Sequence, residues 1–193
     1  MIDGVLAAIA GYALGSIPTG VWIARSRVAA DPRRHGSGAT GATNVARVAG
    51  TGAGILAFAL DAAKGAVAAA VGGPLAAVGA VAGNVASPWL GFRGGKGVAT
   101  GAGALAVLAP AALAGAAGVF AATAVALRWV SVASLAAAIS FPVWALLLRS
   151  PRPVVMCGAV CAVAVVIRHR ENLERLRSGR EPRWGRPWGG PKK

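Results

Sequence analysis

Residues 98 to 127 contain no charged side chain. A helix rises 1.5 Å per residue and a hydrocarbon core roughly 30 Å thick takes about 20 residues, so this run is too long for one crossing. Pro110 and Gly115 are the places where it can divide. Further apolar runs lie at 4–24, 51–71, 74–90, 130–148 and 154–167, and they fill most of the 193 residues. A chain that is 56% hydrophobic and 13% charged, with a mean hydropathy of +0.63, has too little polar surface for an ordinary soluble domain. The expected fold is an all-α polytopic membrane protein with about seven transmembrane helices. Ala and Gly replace Leu in these runs, which suits close packing of helices in lipid.

The net charge of +14 is unevenly placed, since five of the twenty Lys and Arg lie between Arg25 and Arg47 and nine between Arg168 and Lys193. Met1-Ile2-Asp3 lacks the basic start of a signal peptide, so the first run reads as a retained helix. Arg25 and Arg27 follow that run, which puts the N-terminus outside and the next loop in the cytoplasm. Alternating from there leaves seventeen cations inside, Arg149 and Arg152 outside, Lys64 within a span and the C-terminus cytoplasmic. Residues 1–181 then form a single transmembrane domain, and 182–193, with Trp184 and Trp188 among Arg and Lys, form a basic disordered tail touching anionic lipid. A nucleic-acid partner is not expected, because the cations have no folded soluble face to sit on. Cys157 and Cys161 share a helix face inside an apolar run and read as small buried residues, neither a metal pair nor a disulfide framework.

Four polar stretches interrupt the apolar ones. GSIPTG, residues 15–20, breaks the first span at Pro18, which lipid tolerates only where the freed backbone groups meet protein or a polar cavity. DPRRHGSGATGATNVARVAG, residues 31–50, is suited to oxyanions: Ser37, Thr40 and Thr43 can donate O–H bonds, Arg47 can grip a phosphate with two N–H groups, and glycines such as Gly38 open the backbone. In GFRGGKGVATG, residues 91–101, Gly94, Gly95 and Gly97 allow backbone N–H groups to close on a phosphate while Lys96 supplies charge. An ordinary basic cytoplasmic loop would look similar, and Gly97 after the lysine excludes a P-loop. Asp61 and Lys64, three apart inside a span, mark either a functional ion pair or one made only for packing. Ser131 and Ser134 share a face at the start of the 130–148 run. His169 and Asn172 are neighbours on another face beside the membrane surface, where a solvated histidine is the more ordinary reading.

GSIPTG, GSGATGATNVAR, DAAKG, GFRGGKGVATG, SVASL and RHRENLERL, in that order between residues 15 and 181, resemble the bacterial acyl-phosphate:glycerol-3-phosphate acyltransferases, the PlsY family. The resemblance implies a seven-helix enzyme of the bacterial plasma (inner) membrane, multi-pass, with its active site facing the cytoplasm. It would transfer a fatty acyl chain from acyl phosphate to the 1-hydroxyl of glycerol 3-phosphate, giving lysophosphatidic acid and phosphate in phospholipid synthesis. No cofactor or metal is implied. The partners would be the two phosphorylated substrates and membrane lipid, with functional coupling to an enzyme that forms the acyl phosphate. By resemblance Lys96, His169 and Asn172 are catalytic, and Ser37, Gly38, Thr43, Asn44, Arg47, Gly94, Gly95, Gly97, Ser131 and Ser134 bind substrate.

This chain departs from the family pattern at two positions. Ala39 stands where the family usually has Asn, and Asn84 where it has His. The first removes a polar partner. The second exchanges a titratable ring for an amide that keeps hydrogen bonding but moves no proton. A divergent non-catalytic paralogue, or a small transporter or scaffold binding phosphorylated ligands, is the alternative. No inverted repeat favours transport, since GGKG occurs once.

Overall fold

A computed structural model describes residues 2 to 185, and among these every regular element is helical. They fall into two compact units, Met1–Leu108 and Ala109–Lys193. Trp188, Lys192 and Lys193 of the expected tail lie outside the described residues.

In the first unit α1 (Ile2–Gly15) ends where Pro18 removes a backbone donor, and α2 (Thr19–Val28) follows. α3 (Ala42–Ala49) is a short helix between Gly41 and Gly50, and α4 (Thr51–Val85) is the long rod against which α1 and α5 (Val98–Leu108) pack. The α1–α4 seam is made of small residues on both sides. Gly11 and Gly15 lie on the carbonyls of Ala76 and Ala80, and Gly79 and Gly83 on those of Ala8 and Tyr12, so closely that a Cβ at any of them would overlap backbone. Without a hydrophobic drive between helices in lipid, such backbone approach supplies the packing. α4 is itself bent: Gly73 has φ 65° and ψ −154°, and Pro74 follows. That is the boundary expected between the runs 51–71 and 74–90.

The second unit holds α6 (Pro110–Leu127), α7 (Val130–Leu147), α8 (Arg152–Arg168) and α9 (Arg170–Arg177). The division of the long apolar run falls at Ala109–Pro110, one of the two places its sequence offers. Gly115 receives the Trp144 ring and Gly158 the Phe141 ring, and both cysteines are buried and free.

By length and composition four segments can cross a bilayer, Ile2–Val28, Thr51–Leu90, Pro110–Leu127 and Val130–Leu147, with the bent pair α8–α9 as a fifth. The further spans of the sequence reading correspond to the second rod of α4 and to α5. With 11 residues, α5 is about 16 Å long.

Candidate active site

The loop before α3 is shaped by two side chains. Asp31 accepts from the Arg33 amide at 3.0 Å, from Arg33 Nη2 at 2.7 Å and from Arg25 Nη2 at 3.0 Å, and so caps the turn Pro32–Arg34. The Arg33 guanidinium above all, helped by the Arg33 amide and Arg25 and opposed by burial, holds its carboxyl well below the usual carboxylate range. Asn44 is buried at the start of α3. Its Nδ2 donates to the carbonyls of Pro32 (2.8 Å), Ala39 (2.8 Å) and His35 (3.0 Å), and its Oδ1 accepts from the Ser37 amide at 2.9 Å. Expected among the substrate ligands, Asn44 instead has its amide engaged with the loop backbone. Around it Ser37 is half-buried, and Gly38, Thr43 and Arg47 are exposed.

The GGKG loop is likewise fixed from behind. The amides of Gly94 and Gly95 donate to the carbonyls of Val85 (3.0 Å) and Asn84 (2.8 Å), and the Gly97 amide donates to Asn84 Oδ1 at 3.1 Å. The reading that gave these N–H groups to a phosphate is corrected here: they bond the C-terminal end of α4, where carbonyls lack helical partners. A Cβ at Gly94 would overlap the Asn84 carbonyl, so the glycines let the loop lie against the helix end. Lys96 is half-buried on this loop. The side chain at 84 serves as an acceptor for an amide, which needs no titratable group.

Behind both loops lies the break of the first span. Lys64 Nζ is 2.7 Å from Asp61 Oδ1 and donates to the carbonyls of Ile17 (2.8 Å) and Gly15 (3.2 Å), while Thr19 Oγ1 donates to Asp61 Oδ1 at 2.6 Å. The carbonyls freed around Pro18 therefore meet protein.

In the second unit, Ser131 and Ser134 are buried in the first turns of α7. The Ser134 hydroxyl, expected beside Ser131 in the substrate set, donates instead to the Val130 carbonyl at 2.8 Å. His169, at the 51° bend between α8 and α9, is only 2% exposed, so the solvated reading does not hold. Its Nδ1 lies 2.8 Å from the Val165 carbonyl; the ring donates there, and in the neutral form Nε2 is the basic nitrogen.

Glu181 is the residue the sequence reading missed. Its carboxylate accepts from Asn172 Nδ2 at 2.6 Å and from Arg175 Nε at 2.8 Å, and its carbonyl accepts from Trp129 Nε1 at 3.3 Å. Among the described residues the buried Ser131 hydroxyl has no hydrogen-bond partner of good geometry, and it lies near enough to act on this carboxylate. Burial opposes ionisation most strongly, but Asn172, Arg175 and Ser131 together outweigh it and hold the Glu181 carboxyl below its ordinary value. Residues 183–185, expected in the tail, are tied to the α6–α7 corner. The Trp184 amide donates to the Arg128 carbonyl at 2.6 Å, and Arg183 lies 4.9 Å from the centroid of the Trp129 ring. An acid closing a basic run, RHRENLERLRSGRE, was the available signal for Glu181. Among the described residues no three His, Cys, Asp or Glu side chains gather as metal ligands.

A family profile described as glycerol-3-phosphate acyltransferase matches residues 5–179. A glycerol-3-phosphate acyltransferase of Synechococcus sp. (strain JA-3-3Ab) is 46% identical over 196 residues, covering 97% of this chain and 96% of the relative. One from Cereibacter sphaeroides (strain ATCC 17025 / ATH 2.4.3) is 45% identical over 191 residues, covering 94% and 90%. The crystal structure of PlsY, an integral membrane glycerol 3-phosphate acyltransferase, in its glycerol 3-phosphate form superposes with a TM-score of 0.89 at 35% identity, over 94% of this chain and 96% of that one. The lysophosphatidic acid form gives 0.85 at 33% identity, over 94% and 95%.

Proposed function

The chain belongs to the glycerol-3-phosphate acyltransferase family, and from that premise we propose that it transfers a fatty acyl chain from acyl phosphate to the 1-hydroxyl of glycerol 3-phosphate. The observation that carries this reading is the extent of the match, 5–179, which runs through both basic loops and reaches His169 and Asn172. An acyl phosphate is a mixed anhydride with phosphate as its leaving group, so no enzyme nucleophile is required. The protein's task is to hold two phosphorylated substrates together and stabilise the charge that develops.

Ser37, on the loop that Asn44 shapes and Gly38 opens, and Thr43, in the first turn of α3, cradle the acyl phosphate. Arg47 and Lys96 bind the phosphate of glycerol 3-phosphate, with Gly94, Gly95 and Gly97 setting the loop that carries Lys96. Ser131, His169 and Asn172 serve the acceptor in the same reaction. His169, its Nδ1 proton held by Val165, takes the hydroxyl proton on Nε2 as the oxygen attacks the acyl carbon. The bond from that carbon to the phosphate oxygen then breaks, and inorganic phosphate leaves with the bonding pair. The product is lysophosphatidic acid.

The membrane reading that accompanies this function is seven spans in the bacterial inner membrane, N-terminus outside, with the polar loops and C-terminus in the cytoplasm. A separate enzyme that forms acyl phosphate supplies the donor. A reporter in the 149–153 turn is expected outside and one after Lys193 inside; the reverse labelling contradicts that arrangement. The function itself is tested with purified protein in detergent, glycerol 3-phosphate and either acyl phosphate or acyl-CoA. Lysophosphatidic acid from acyl phosphate alone is expected, and turnover of acyl-CoA in its place would overturn the donor assignment.

A further inference from the structure

Asp61 and Lys64 have no part in the chemistry just given, yet both are buried within the first unit, 7% and 6% exposed. Two charges out of water need a reason, since their desolvation is returned only when the remaining donors and acceptors are well bonded. Here they are. Lys64 bonds Asp61 and the carbonyls of Gly15 and Ile17, and Asp61 bonds the Thr19 hydroxyl as well. Those carbonyls belong to the last turn of α1 and the break after it, where Pro18 offers no N–H.

The break in turn holds both loops of this unit. On one side Gly20 lies on the carbonyl of buried Thr40, so closely that a Cβ would overlap it, and Thr40 falls between Ser37 and Thr43. On the other side Ser87 Oγ donates to the Ser16 carbonyl at 2.6 Å, and the Ser87 carbonyl accepts the Phe92 amide at 2.8 Å. Asn84, one helical turn before Ser87, takes the Gly97 amide. A tight cleft, with room for about one water, is lined by the break together with Thr40, Asp61, Asn84 and Ser87. The pair, the break and the stems of both loops are thus contiguous.

We propose that Asp61 and Lys64 are positioning residues for acyl transfer: by fixing the Gly15–Gly20 break they set the Ser37 loop and the start of α3 that carries Thr43 against the loop that carries Lys96. The inference rests on the reaction assigned above, and its test includes a measurement that does not. The double variant Asp61→Leu/Lys64→Met removes both charges together and so leaves no lone buried ion. In that full-length variant, hydrogen exchange in detergent is expected to accelerate about tenfold or more in peptides covering 36–45 and 91–98, with α6 to α9 unchanged. The KM for glycerol 3-phosphate is expected to rise about tenfold on the folded fraction, because small misplacements of substrate-holding groups have effects of that size. Acceleration confined to residues 15–20 with an unaltered KM would overturn the proposal. Should the double variant not fold, Thr19→Val removes a single bond to Asp61. It is expected to raise KM about threefold, with Thr19→Ser restoring it, and equal KM values in all three proteins overturn the proposal. A wild-type protein that makes no lysophosphatidic acid sinks the assigned reaction and leaves the exchange result standing. Unchanged exchange at both loops sinks the positioning role and leaves the reaction standing.

Discussion

Lys64 and Lys96 stand in similar short motifs, DAAKG and GGKG, each beside long apolar runs, and the structure treats them in opposite ways. Lys64 is buried and directed at Asp61 and at two carbonyls that a helix break has freed. Lys96 is half-buried on a loop whose glycine amides are bonded to the end of α4. A lysine next to a helix break with an acid three residues away completes the backbone. Lys96 instead sits half-buried on a loop anchored by its own glycines. The difference lies in the backbone each lysine stands on, a broken helix against a glycine loop, and the identity of the neighbouring residues alone does not reveal it.

The contrast is broken most sharply by mutating Lys96, the cation to which the proposed reaction assigns a phosphate. Lys96→Ala is expected to lower the rate of acyl transfer about 10³-fold, the scale for removing one preorganised charge from a developing anion. Lys96→Arg should recover little, because a planar fork does not replace a point charge at a tight site. A covalent acyl-lysine intermediate, or a near wild-type rate for Lys96→Ala, would show that the lysine has another role. His169→Gln keeps a polar side chain at the α8–α9 bend but cannot accept the hydroxyl proton. It should lower kcat about 10²-fold or more and flatten the acidic limb of the rate profile. A rate within a few-fold of wild type would hand the proton to the substrate phosphate instead.

Much of this contrast could be read in advance, for identifiable reasons. Breaks at Pro18 and Ala109–Pro110 follow from a missing donor, and the bend at Gly73–Pro74 falls between two apolar runs. The loops at 31–50 and 91–101 announced themselves by hydroxyls, glycines and cations. Direction was not legible. The glycines at 94, 95 and 97 suggested amides aimed at a phosphate, yet the chain folds back on the end of α4, a contact between residues about ten apart that no periodicity reports. Asn44 and Ser134, assigned to substrate by resemblance, also bond backbone carbonyls, which residue type does not report. His169 looked solvated from its place after the last apolar run, and the bend at α8–α9 buries it. Glu181 reaches Asn172 only because the chain reverses at Gly179, where φ is 68°.

Two smaller effects refine the account. Asn84→His should change the rate by less than tenfold, since the side chain at 84 accepts an amide proton from Gly97 and an imidazole can do the same. A larger gain, with a new ionisation near the usual histidine pKa of about 6.5, would give position 84 a proton-transfer role that Asn has lost. Glu181 offers the gentlest test. Its folded carboxyl is held below the ordinary value, so its contacts contribute fully above about pH 4.3 and are lost as pH falls through the lower folded value. Glu181→Gln should therefore cost about 1 kcal/mol at neutral pH, with the gap from wild type closing as unfolding is measured toward pH 3. A gap that does not vary with pH would mean that the ionised carboxylate is not what holds Asn172 and Arg175.

The most direct measurement sets the two lysines side by side as Lys64→Met and Lys96→Met, recording thermal unfolding, kcat and KM for glycerol 3-phosphate in one detergent. Lys64→Met strands the Asp61 charge and should lose about 3–5 kcal/mol of stability, with a raised KM on whatever fraction remains folded. Lys96→Met should unfold close to the wild-type temperature and lose nearly all turnover. Full turnover in Lys96→Met, or a Lys64→Met protein that is as stable as wild type yet has lost kcat alone, would contradict the division between structural and chemical cation.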